Sequence, residues 1–385
     1  MKAARLLPPL IAVALLLSGC WSQMEMTDRA FVLALAIDKG GEDELEATVQ
    51  IYKPISQFGP PSGQGQEQSF HNVTLRGTSV SNIIRNTKTV TGRHSQFSHI
   101  RLLLISDEVA RERLADILDF FYRDPEIRLG MSVMIARGRA RDYLVGRPII
   151  ENTLGSQLFK QLDFSSKLAG KTLNTTMLDL AFGLKSESES AMLPVITHER
   201  QYNQDVVRGI ALVKPDRMVG SIPPDMAPYL LLMADRYKYG LLEIPCRGDN
   251  ELAETIEVLR SDAKISPRLE GRSPSARIEV RIDASINELA CTTIRDMADE
   301  AAFAERARQY FKERMESVLG TLRKRKADAL GIGNRLYSRH PGLWRKIKSE
   351  WPEIYARMPI ELDVKVYIRN SKMMKPGPFS RIGDN

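Results

Sequence analysis

After residue 17 the chain has no apolar run long enough to cross a bilayer. A span takes about 17–25 apolar residues, whereas the most apolar later stretch, residues 229–234, stops at Asp235 and Arg236. Cysteine is scarce, with three in 385 residues, and no Cys-x-x-Cys occurs. The five histidines, His71, His94, His99, His198 and His340, show no ligand-like clustering, so a metal centre has no local support. No Gly-x-Ser-x-Gly elbow is present, which leaves serine-hydrolase chemistry without support. Asp119, Asp124 and Glu126 do not form a recognisable acid pair. Gly331-Ile332-Gly333 begins like a dinucleotide fingerprint, but it follows a helical pattern and Leu336 stands where the third glycine belongs. A helix C-cap and turn is the better account of it. No catalytic residue, cofactor-binding residue or metal ligand is assigned, and no cofactor is expected.

What the chain does have is concentrated at its start. Lys2 and Arg5 are followed by 12 almost wholly apolar residues, 6–17, interrupted by Pro8 and Pro9. That length fits the roughly 7–15 residues of a signal-peptide core. Leu17-Ser18-Gly19-Cys20 then resembles the lipobox of bacterial lipoproteins. The expectation is that residues 1–19 are a lipoprotein signal peptide and that Cys20 carries an S-diacylglycerol and an N-acyl chain. The alternative is an ordinary secretory signal with an accidental cysteine. Either way the mature chain is exported, so cytosolic ATP, NADH and nucleic acid drop out as ligands. Export also permits a disulfide between Cys246 and Cys291. Two cysteines so far apart in sequence cannot be paired by inspection, and the question stays open.

The formal charge of +7 falls to +5 once Lys2 and Arg5 are removed. Contact with anionic headgroups or acidic partners is one reading, and a solubilising surface charge is another. The basic run Arg323-Lys324-Arg325-Lys326 invites the same two readings, as a favourable partner of a helix C-terminus or as a headgroup contact. Trp344 and Trp351 read as core anchors.

The remaining pattern is that of a folded α+β protein, 43% apolar and 27% charged. Strands are predicted at 30–38, 45–53, 100–106 and 130–136, and helices at 78–89 and 107–122. Residues 58–69, rich in Gly, Pro and Gln, read as a loop, and 150–190 as helical, with a solvated turn at 186–190. Residues 206–219 form a hairpin around Lys214-Pro215-Asp216. In the last third, Ile278, Val280 and Ile282 alternate with charged residues as a strand. A long amphipathic helix over 297–329 presents Phe303, Ala307, Tyr310, Phe311, Met315, Val318 and Leu322 on one stripe. A closing strand covers 361–369. This sets out mixed and antiparallel sheets packed with helices, the C-terminal one crossed by a single long helix. The division is residues 20–195 as an N-terminal α+β domain, 196–236 as a small middle domain and 237–385 as a C-terminal α+β domain.

Several stretches together resemble the Ger(x)C germination proteins. They are Gly19-Cys20-Trp21 with AFVLALAIDKG, ATVQIYKP, ISDEVARERLADILDFFYRDPEIR, ARGRARDYL, GIALVKPDRMVG, and DALGIGNRLYSRHPGLWRKIKSEW. Ser22 stands where many relatives have Asp. The resemblance implies a three-domain lipoprotein without enzymatic activity. It would be the C subunit of a spore nutrient germinant receptor, beside polytopic membrane A and B subunits, on the outer face of the spore inner membrane. The competing reading is a substrate-binding lipoprotein of an ABC transporter, which would have two hinged lobes of parallel sheet.

Overall fold

A computed structural model describes residues 25, 28–53, 68–246, 249–270 and 273–370. The signal segment, Cys20 and most of the loop over 58–69 lie outside the described residues.

Strands β1 (Arg29–Lys39), β2 (Leu45–Tyr52) and β3 (Phe70–Gly77) form an antiparallel meander. Helix α1 (Val80–Thr91) starts at Ser79, whose Oγ accepts the Asn82 N–H, and stops at Gly92 with φ 63°. The short β4 (His94–Gln96) lies parallel to the start of β1. Then come β5 (Leu102–Ser106), α2 (Asp107–Glu112), α3 (Leu114–Arg123), β6 (Ser132–Ala136), α4 (Leu154–Lys167) and α5 (Met177–Lys185). The α5 start is a full capping box of Thr176 and Asp179. Strands β7 (Ala191–Glu199), β8 (Gln204–Val213) and β9 (Met218–Ile222) close the sheet. Its order is β3-β2-β1-β5-β6-β7-β8-β9, with β4 beside β1. The central strands β1, β5, β6 and β7 are parallel and the flanks antiparallel. Central parallel strands are covered on both faces, which is why β5 and β6 read as unbroken apolar runs. Here α1, α3 and α5 cover one face and α4 the other.

The rest of the chain builds a second sheet. It comprises α6 (Ala227–Met233), β10 (Gly240–Cys246), β11 (Asp249–Glu270), β12 (Ser273–Glu288), α7 (Met297–Lys324), α8 (Ile332–Arg339), α9 (Pro341–Ile347), α10 (Trp351–Arg357) and β13 (Ile360–Asn370). The order is β10-β11-β12-β13. The first three strands are antiparallel and β13 is parallel to β12, so the helices between them form the crossover. The predicted stripe of α7 faces the sheet, with Phe303, Ala307, Phe311, Met315, Val318 and Leu322 all buried. Cys246, at the end of β10, is bonded to Cys291, just past β12, with Cα atoms 6.1 Å apart. That closes the question the sequence left open.

The mixed α+β architecture with a long helix across the C-terminal sheet is the one expected. Four details differ. The helix predicted over 107–122 is two, broken at Arg113, whose guanidinium is held by the carbonyls of Asp43 and Thr78, both at 3.3 Å. α7 ends at Lys324, and residues 327–330 drop into the core. Gly331 is the N-cap of α8, in the left-handed region at φ 68°, rather than a C-cap. The turn at 186–190 is packed, with Ser188 and Ser190 buried. Residues 196–236 are shared between the sheets: the hairpin β8–β9 extends the first, and α6 packs in the core of the second.

Candidate functional site

The one sequence-predicted site residue, Cys20, lies outside the described residues. Among the described residues no helix is long and apolar enough to cross a membrane. No group of three His, Cys, Asp or Glu side chains there is arranged to hold a metal.

One cluster of buried polar groups lies where the two sheets meet. Asp328 is fully buried after α7. Its Oδ1 accepts the Ile332 N–H at 2.9 Å and its Oδ2 the Gly333 N–H at 2.7 Å, which satisfies the first turn of α8. Oδ2 also accepts from Ser188 Oγ at 2.8 Å and from Trp351 Nε1 at 3.2 Å. Burial pushes this carboxyl above the usual aspartate value, and the Gly333, Ile332, Ser188 and Trp351 donors oppose the shift. The link is doubled: the Ser188 N–H donates to Asn334 Oδ1 at 2.8 Å, and the Asn334 N–H donates to Ser188 Oγ at 3.1 Å.

Aromatic packing closes around these bonds. Trp344 and Trp351 meet edge to face with ring centroids 5.0 Å apart, as the sequence expectation of core anchors requires. Gly333 makes room for them, since a Cβ there would lie 2.7 Å from Trp344 Cη2. Trp344 Nε1 donates to Glu187 Oε2 at 2.6 Å, and Lys348 Nζ pairs with the same oxygen at 2.8 Å. Those bonds to Lys348 and Trp344 hold the Glu187 carboxyl below the ordinary glutamate value. Beside them lies a cleft of about 200 Å³ bordered by Glu187, Lys214, Lys326, Lys348 and Trp351. Lys214, from the β8–β9 turn, is half-buried there, and burial pushes its ammonium below the usual lysine value. Two residues of the basic run at 323–326 are engaged within the chain. Arg323 Nη2 donates to Met358 O at 2.8 Å, and Lys326 pairs with Glu353.

A second cluster sits at the far end of β1. Asp38 accepts the Ala140 and Arg141 N–H groups at 2.6 and 2.8 Å. Glu46, also buried, faces Arg76, Arg139 and Arg141. Burial works against its ionisation, but hydrogen bonds from Arg76 and Arg141 and the charge of Arg139 hold the carboxyl below the glutamate norm. Asp38 and Glu46 thus clamp the segment ARGRARDYL onto the sheet, as Asp328 clamps DALGIGN. Each of these carboxylates is engaged by several donors.

Residues 22–198 match the family described as "Spore germination protein N-terminal domain". Residues 208–372 match "Spore germination B3/ GerAC like, C-terminal". The chain belongs to the Ger(x)C family of spore germination proteins. Among curated relatives, spore germination protein KC of Bacillus subtilis (strain 168) is 24% identical, over 94% of this chain and 95% of its own. Spore germination protein B3 of the same organism is 23% identical, over 96% and 98%. The crystal structure of the GerBC protein matches with a TM-score of 0.55 at 20% identity, covering 87% of this chain and 97% of that one. That likeness is one of fold. Two of the stretches that carry the Ger(x)C resemblance are the clamped segments just described. Asp328 and its partner Ser188 were missed as a unit in the sequence. An aspartate three residues before Gly-x-Gly at a helix boundary was the available signal, but nothing local pointed to Ser188.

Proposed function

We propose that this chain is a lipid-anchored, non-catalytic subunit of a spore nutrient germinant receptor, required for the germination response to nutrients. The observation that carries this reading is the match of both family segments, in order, across residues 22–198 and 208–372. Relatives named as spore germination proteins align along nearly their whole length. Cys20 supplies the anchor, through a thioether to diacylglycerol and an N-acyl chain. Two signals of this kind hold a protein stably where a single chain is marginal. The protein then sits on the outer face of the spore inner membrane, beside polytopic A and B subunits. A non-catalytic role is supported by the buried carboxylates Asp38, Glu46 and Asp328, which serve the fold's own donors. Residues 196–236 serve in this reading as a connecting unit between the N-terminal and C-terminal domains.

The test is Cys20→Ala. No thioether can form on alanine, so lipidation and signal cleavage fail and the protein is mislocalised or degraded. Spores carrying the variant respond poorly to the nutrients of that receptor, yet still germinate with agents that bypass receptors. Membrane fractionation and a germination assay on the same spores read both effects. A normal nutrient response with the protein fully detached overturns the anchored-subunit reading.

A further inference from the structure

One end of the first sheet carries an apolar rim that no other described residue covers. It is the end at which β1 begins, at Arg29, and antiparallel pairing brings Tyr52 of β2 and Phe70 of β3 to the same place. The loop of residues 145–150 is tied there. Asn72 Nδ2 donates to Leu144 O at 2.6 Å, and Gln68 Nε2 donates to Gly146 O at 3.2 Å. On this loop Val145, Ile149 and Ile150 are 59%, 63% and 88% exposed. No large apolar side chain among the described residues is more exposed than Ile150. Arg147, between them, is exposed as well. An apolar tip holding a single arginine is the composition of a bilayer-surface contact, with the aliphatic groups at the acyl boundary and the guanidinium at phosphate level.

The chain's own connectivity names what covers the rim. Cys20 precedes Arg29 by nine residues. Nine residues reach at most about 30 Å when fully extended. A lipid on Cys20 therefore keeps this end of the sheet close to the headgroups. The opposite end of β1, at the turn of residues 40–44, stands a further strand length of about 36 Å away.

We propose that the loop of residues 145–150 seats in the headgroup region of the anionic bilayer to which the chain is tethered. Val145, Ile149 and Ile150 enter the acyl boundary and Arg147 meets lipid phosphate. This orients the protein on the membrane, and it rests on the reading of Cys20 as the lipid-bearing residue.

The disulfide makes a clean test possible. With Cys246 and Cys291 bonded to each other and Cys20 lipidated, Ile150→Cys supplies a free thiol for a bimane label. Glu42→Cys, exposed at the opposite end of β1, is the control. Each lipidated full-length variant is reconstituted into phosphatidylglycerol-containing vesicles, and brominated lipids serve as quenchers. The expected result is that both variants float with the vesicles, that the label at 150 loses most of its fluorescence and shifts to the blue, and that the label at 42 keeps its signal. Flotation with no quenching at 150 overturns the orientation and leaves the anchor standing. A blue shift at 150 without lipid quenching assigns the rim to a second copy of this chain and also overturns it. Failure to float overturns the anchor reading, and the orientation falls with it.

Discussion

Ser188 Oγ and Asp328 Oδ2 are joined by a hydrogen bond of 2.8 Å across 140 residues of sequence. Ser188 leads into β7 of the first sheet, and Asp328 follows the long helix of the second. The bond lies at the interface of the two halves of the chain, in a place closed to water.

Asp328→Ala strands the N–H groups of Ile332, Gly333 and Trp351 in a buried site. Each buried donor without a partner costs about 1–3 kcal/mol. The expected loss is about 3 kcal/mol or more in denaturant unfolding. Ser188→Ala should lose about 1 kcal/mol, and the double variant should lose less than the sum, because the two share one network. Strict additivity would show that the pair is not coupled.

Glycine substitutions should have opposite signs at two helix positions. Gly320 in α7 is open, with nothing within 4 Å of an added Cβ, so Gly320→Ala stabilises by about 0.5–1 kcal/mol through helix propensity. Gly333→Ala meets Trp344 at 2.7 Å and Trp351 at 2.9 Å, and overpacking of this kind costs about 1–3 kcal/mol. Thermal melts of the two variants read the sign directly.

The Cys246–Cys291 bond spans 45 residues of sequence. Chain-entropy arguments give about 4 kcal/mol for a loop of that size. Reduction, or the Cys246→Ala plus Cys291→Ala variant, should lower the denaturant midpoint accordingly. An unchanged midpoint in both would show that the bridge contributes nothing.

Glu46 should confer a pH dependence of known sign. Its folded-state value is held below 4.5, so its contribution is present above the unfolded value and is lost as pH falls through the folded one. The stability gap between the wild type and Glu46→Gln should be flat from neutral pH to about 5 and shrink in more acidic solution. A gap that widens on acidification would mean the three arginines do not hold the carboxylate.

The parts of this fold that could be read in the sequence are those whose side chains keep one period. The stripe of α7 and the alternation Ile278-Val280-Ile282 are regular, and their burial follows the pattern. β11 went unassigned because its ladder with β12 shifts register twice, between Thr255 and Ile256 and between Val258 and Arg260. The shift past Val258 moves the buried face from even positions such as Ile256 and Val258 to odd ones such as Ile265, so no single alternation runs the length of the strand. β7 was hidden by Pro194, where its pairing with β8 also slips. The site at Asp328 was half legible. Its glycines announced a helix boundary, but the partner serine is brought in by tertiary structure alone. The proposal for Cys20 rests on linear pattern alone, because lipidation would depend on an enzyme that reads the signal and not on the fold.

β13 completes the second sheet on β12 from more than eighty positions further along, pairing Ile278 with Leu362 and Val280 with Val364. A chain exported amino end first, as the proposed function requires, would carry β12 with an open flank until β13 emerged. The C-terminal core could not close before then, which would keep this half of the protein threadable. Its final shape would be taken up on the far side, where an oxidising milieu can bond Cys246 to Cys291.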